Sequence, residues 1–199
     1  MKNKKLLAVD IAEIAIFAAL MVAGAWISIP FYPVPLTFQT VISVLAGLLL
    51  GWKKGAAAMA VYLFMGFVCF IPVFADHSIA GFAYAIKPSF GYIIGLVLSA
   101  FVGGIITGGT KKPFWLYIVA GIAAFAANYA IGIPYFALVW HILNGDELLG
   151  QMIVTYNLLY MPKDLVLCIL AAVLARLVVP HIRRGREKLK LKSETAPLE

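Results

Sequence analysis

Charge is what this chain has little of. Asp, Glu, Lys and Arg make up 13% of its 199 residues, about half the share a soluble domain carries. A water-facing surface cannot be built from so few charges, so a soluble enzyme or scaffold is excluded. Catalytic signatures are missing as well. The sequence has no Gly-rich Walker A loop for nucleotide phosphates, no His-Glu-x-x-His and no Gly-x-Ser-x-Gly elbow. Its two cysteines, Cys69 and Cys168, lie in apolar runs without metal-ligand spacing and read as small buried residues. His77, His141 and His181 fall in or beside loops, and no repeat of 20–50 residues is visible. No cofactor, metal or nucleic-acid partner is expected, and any active transport must draw its energy from a partner or an ion gradient.

What remains is apolar: 63% of residues are hydrophobic and the mean hydropathy is +0.97. That composition predicts an all-α integral membrane protein. Six spans are expected at about 11–29, 35–51, 55–74, 89–109, 114–138 and 160–180. Pro30, Pro33 and Pro35 mark the first loop, Pro72 closes the third span and Pro88 opens the fourth. Pro113 and Pro162 suit the first turns of the fifth and sixth. The Lys-rich start followed by an apolar run resembles a leader, but Asp10 and Glu13 interrupt it, which predicts an uncleaved first span. Residues 1–182 are expected to form the membrane domain, and 183–199 a basic, mobile cytoplasmic tail. Six spans with both termini inside place all of the 16 Lys and Arg residues except Lys87 and Lys163 on the cytoplasmic side, as the positive-inside rule requires.

Those two lysines organise the functional reading. Lys163 and Asp164 stand side by side at the head of the last apolar run, and charges at membrane depth are costly and usually functional when retained. The alternative is a helix start, with Pro162 in the first turn, Asp164 complementing the helix dipole and Lys163 reaching back to water. Other polar or amphipathic residues are expected at the same outer depth: Gln39, Phe74, Ser89, Tyr92, Asn128, Tyr129 and Tyr135, with Lys87 nearby. Together they predict an aromatic-lined cavity open to the outside, with cations for an anion and Asp164 to accept hydrogen bonds. The competing reading makes the tyrosines interfacial belt residues and gives Asn128 a helix–helix bond. In the first span, Ala8, Ala12, Ala15, Ala19 and Ala23 share one helical face, a stripe that lets another helix approach closely.

The ordered motifs Pro33-Val34-Pro35-Leu36-Thr37-Phe38-Gln39-Thr40, Ile71-Pro72-Val73-Phe74-Ala75 and Lys87-Pro88-Ser89-Phe90-Gly91-Tyr92-Ile93-Ile94-Gly95, with Asn128-Tyr129, Gly132-Ile133-Pro134-Tyr135 and Pro162-Lys163-Asp164-Leu165, resemble those of the BioY family. These are the biotin-binding S-components of energy-coupling factor (ECF) transporters, and the resemblance runs from about Ala15 to Ala175. It implies a six-helix subunit that captures biotin from outside and works with a transmembrane coupling protein and two cytoplasmic ATPases. Ala15, Ala19 and Ala23 would be the docking surface for the coupling protein, and the connection from Phe74 to Tyr92 a lid over the ligand. Asp164, Lys163, Asn128, Lys87, Ser89, Tyr92, Gln39, Phe74 and Tyr135 are the implied substrate-binding residues. The sixth-span motif departs from the family's Pro-Gly-Asp-Leu-x-Lys: Lys163 stands at the glycine and Leu167 at the lysine. That keeps a related acid, dethiobiotin or a pimelate-like chain, open as substrate. A membrane enzyme acting on lipid and a purely structural assembly protein are the rival classes.

Overall fold

The computed structural model describes residues 4–29, 34–145 and 149–194 of the chain. Lys2, Pro30, Pro33 and the end of the expected tail, residues 195–199, lie outside them. Six α-helices follow in order among the described residues: α1 (Lys4–Trp26), α2 (Gln39–Leu50), α3 (Trp52–Phe67), α4 (Phe90–Thr107), α5 (Phe114–Asn144) and α6 (Leu149–Glu194). Two short strands, β1 (Ser28–Ile29) and β2 (Leu36–Thr37), pair antiparallel between α1 and α2.

Helix lengths differ from the expected spans in an instructive way. At 1.5 Å per residue, α2 is roughly 18 Å long and α3 roughly 24 Å, short of a hydrocarbon core of about 30 Å. Only α1, α4, α5 and α6 are long and apolar enough to cross by themselves, counting described residues. The third apolar stretch ends at Phe67 rather than near residue 74, because the chain turns at Phe70, which has a φ of 58°. Left-handed backbone is unusual for so bulky a residue. Between α2 and α3, Gly51 has a φ of 80°, a conformation glycine reaches without a Cβ penalty.

α2 is the hub. Ala46 joins a core with Met21, Met59, Tyr62, Phe74 and Phe90, whereas Val44 and Leu48 join a second core with Tyr117, Ala124, Phe125, Cys168 and Ala172. A helix buried on two sides needs an apolar surface but not bilayer length. The two cores meet through α4 and α5, which share the most extensive interface in the molecule.

α6 corrects another expectation. It begins at Leu149, so Pro162 sits inside the helix and not in its first turn. Asp164 therefore cannot be complementing a helix N-terminus. Interior prolines are tolerated in membrane helices, where neighbouring groups satisfy the freed carbonyl; Pro134 in α5 and Pro180 in α6 are further cases. From Arg183 the same helix runs on to Glu194, through most of the stretch expected as a tail.

Candidate functional site

Four helices and two connections converge on one cavity. α2 supplies Gln39 and Thr40 from its first turn, and α4 supplies Tyr92, Ile93 and Leu96, with Ser89 just before it. Asn128 and Tyr129 come from α5, and Tyr156, Asn157, Tyr160, Lys163 and Asp164 from α6. The α6 set recurs at three- and four-residue intervals, the period of a single helical face. Val34, Pro35 and Thr37 close one side, and Ala75 and Tyr84 close another. Counted out through its mouth into open solvent, the space is about 640 Å³.

Asp164 is the most constrained polar group in the wall. Its Oδ2 accepts hydrogen bonds from Tyr129 Oη at 2.8 Å and Thr40 Oγ1 at 3.3 Å. Its Oδ1 lies 2.8 Å from Lys163 Nζ yet accepts no well-directed hydrogen bond. The lysine instead donates to the Thr37 carbonyl at 3.0 Å, so it bridges the carboxylate and the β-hairpin. The Asp164 side chain is 8% exposed and that of Lys163 26%. A second buried acceptor, Asn128 Oδ1, also has no partner. Buried polar atoms are nearly always satisfied; among the described residues Asp164 Oδ1 has only the lysine ion pair and Asn128 Oδ1 packs against Gly95 of α4.

Aromatic walls flank this polar floor. Tyr92 and Tyr129 meet edge to face with centroids 5.5 Å apart, and Tyr92 Oη donates to Asn157 Oδ1 at 3.2 Å. Tyr160 donates to the Val34 carbonyl, a second tie between α6 and the first connection. Two glycines allow this packing. A Cβ at Gly132 would lie 2.2 Å from Tyr92 Cδ1, and one at Gly95 would lie 2.3 Å from Asn128 Oδ1.

Of the nine residues expected to bind substrate, Asp164, Lys163, Asn128, Ser89, Tyr92 and Gln39 line the cavity. Lys87, Phe74 and Tyr135 do not. Lys87 pairs with Asp76 at 2.6 Å across the connection from 68 to 89, and the hydrogen bonds from Lys87 and Ser78 hold the Asp76 carboxyl at about 2, below its ordinary value. Phe74 is fully buried, its ring centroid 5.6 Å from Tyr62 and 4.4 Å from Tyr84, where it seats that connection on α3. Tyr135 donates to the Ala85 carbonyl at 2.7 Å and holds it from the other side. Thr37, Thr40, Tyr84, Tyr156, Asn157 and Tyr160 were not anticipated. The last three precede or open the expected sixth span; the intervals that join them to Lys163 and Asp164 were the available signal.

Away from the cavity, Ala8, Ala12, Ala15, Ala19 and Ala23 are all exposed along α1. Ile11, Ile16 and Leu20 flank them, also exposed.

Comparison with known proteins is consistent in direction. The chain is 39% identical over 124 residues to "Biotin transporter BioY" of Thermotoga maritima, covering 62% of this chain and 72% of that one. It is 35% identical over 182 residues to "Probable biotin transporter BioY" of Lysinibacillus sphaericus, covering 89% and 90%. Its fold resembles the crystal structure of the S-component for biotin from an ECF-type ABC transporter, with a TM-score of 0.65, 22% identity and coverage of 89% and 94%. The BioY family model matches residues 1–184, and the chain belongs to the BioY family.

Proposed function

We propose that this protein is the substrate-capture subunit of an ECF-type ABC transporter, taking biotin from the extracellular side. It is a transport subunit and not an enzyme, and it works in the plasma membrane of a prokaryote. The observation that carries the substrate assignment is the Asp164–Lys163 ion pair in the cavity wall, with a buried carboxylate and a half-buried ammonium. The ureido ring of biotin offers two N–H donors, which suit Asp164 and Asn128, and its bicycle suits the walls of Tyr92 and Tyr129. Lys163, 2.8 Å from Asp164, stands at the same end of the ligand and can donate to the ureido carbonyl. Gln39 and Ser89 complete the polar lining, while Phe74, Tyr135 and Lys87 act one step back by holding the connection that covers the cavity.

Six membrane passes, with both termini cytoplasmic, fit the distribution of Lys and Arg; α2 and α3 then cross as a short pair completed by their flanking connections. Residues 1–182 form the membrane domain, and the basic stretch from Arg183 lies in the cytoplasm. The exposed alanine face around Ala15, Ala19 and Ala23 receives the transmembrane coupling protein, which brings two ATPases. Small side chains there let a partner helix approach closely.

Thermal unfolding of the detergent-purified protein tests the substrate. Biotin at about 100 times its dissociation constant should stabilise the fold by about 2.7 kcal/mol, with dethiobiotin and pimelate giving less. A larger shift with either acid would keep the architecture and change the ligand. No shift from any of them, in folded protein, would remove the capture function.

A further inference from the structure

Four charges meet at the cytoplasmic end of three helices. Lys54 of α3 lies 3.0 Å from Asp10 Oδ1 and 2.8 Å from Glu13 Oε2 of α1. Arg186 of α6 donates through Nε to Glu13 Oε1 at 3.0 Å, pairs a second time with the same carboxylate, and lies 3.6 Å from Asp10. Glu13 and Lys54 are mostly buried, at 18% and 16% side-chain exposure. Two carboxylates and two cations balance, and the two-pronged Arg186–Glu13 contact is the geometry that fixes orientation as well as distance.

Helical geometry says what is being oriented. At 100° per residue, Asp10 and Glu13 point roughly 145° away from the mean direction of Ala12, Ala15, Ala19 and Ala23. The side of α1 held by charge is opposite the side left bare. Ile14, Phe17, Met21, Val22 and Ala25 pack α1 on the core, and the charged contacts add directed bonds to that packing at one end of the helix. We infer that Asp10, Glu13, Lys54 and Arg186 are positioning residues for the coupling face: they fix the rotation of α1 and so hold the alanine stripe outward for its partner. The inference rests on the proposed docking role of that stripe.

The test separates assembly from capture. Glu13→Gln and Arg186→Gln are compared with Ala15→Leu and Ala19→Leu for biotin binding in detergent and for affinity toward the coupling protein with its ATPases. The expected result is biotin affinity within about twofold of the parent for all four, and assembly weakened by about tenfold in the two charge variants. Arg186→Lys, which keeps the cation beside Glu13 and Asp10 but loses the two-pronged contact, should recover part of that loss, which a merely destabilising change would not. Should a charge variant fail to bind biotin, Asp10→Asn, which leaves both Arg186–Glu13 bonds, carries the same comparison with a smaller expected loss. Normal assembly by the charge variants beside blocked alanine variants overturns this inference alone. Normal assembly by the alanine variants overturns the docking role and the inference with it.

Discussion

Asp164 is a buried carboxylate in an apolar helix, and its surroundings give it a measurable role. Asp164→Asn keeps the shape but replaces a charge-assisted acceptor, so biotin affinity should fall by about 10- to 100-fold, equivalent to the roughly 1.5–3 kcal/mol of a hydrogen bond to a charged group. Equilibrium binding on folded protein checks this, and an unchanged affinity removes Asp164 from ligand contact. Lys163→Met should cost at least as much, since it strips the cavity of its cation and leaves a buried carboxylate unpaired. Thr37 and Thr40 were not legible. Their value is positional: one offers its carbonyl to Lys163 and the other its hydroxyl to Asp164, and nothing in a lone threonine announces a partner more than a hundred residues away. Lys87 misled for the opposite reason. A lysine on the wrong side of the charge balance looked free for a ligand, but Asp76 occupies it.

Among the elements, the hydropathy pattern located α4 closely because it presents an apolar run bounded by polar or turn residues, but it began α1 seven residues late and ended α5 six residues early. It overextended α3 and truncated α6. Residues 149–160 mix apolar residues with Gln151, Thr155, Tyr156, Asn157 and Tyr160, and that mixture reads as loop until the partners across the cavity are known. Close packing of α4 on α5 yields a second prediction. Gly132→Ala puts a methyl group into the Tyr92 ring, an overpacking cost of about 1–3 kcal/mol, and pushes the ring off Asn157. Lower thermal stability together with weaker biotin binding is expected; stability loss alone would separate Tyr92 from the ligand. The connection from 68 to 89 supplies a third. Asp76 titrates at about 2 against an ordinary 3.8, so its folded-state contribution is full above about pH 4 and is lost as pH falls through 2. The pair is partly exposed, at 33% and 34%, and is therefore worth at most about 1 kcal/mol. Proteolytic nicking of this connection should rise between pH 4 and 2 in the parent protein but be high and pH-independent in Lys87→Met.

At the scale of the molecule, the outline was readable from composition: a small helical membrane protein with its polar groups gathered at one depth. The short central α2 was harder to foresee, because hydropathy cannot distinguish a helix surrounded by protein from one surrounded by lipid. The exposed alanine face gives the prediction proper to this scale. Ala19→Leu should abolish co-purification with the coupling protein and ATPases while biotin binding stays within about twofold, since bulk at a close helix contact acts locally. Loss of both activities would place Ala19 in the fold rather than at an interface.

α6 has a mechanical consequence. It is one helix of 46 residues, with Asp164 in the cavity wall and Arg186 among the charges at the far end. Twenty-two residues separate them, an arm of about 33 Å at 1.5 Å per residue. A tilt of about five degrees pivoting at the cavity therefore carries the inner end sideways by about 3 Å, as far as a whole salt-bridge length. The helix joins the cavity wall to the charged contact with α1, and Pro180 between them sets how much of a tilt is passed on as a stroke at that end. Spin labels on α1 and on α6 near Arg186 would read that stroke directly, as a change in separation on adding biotin.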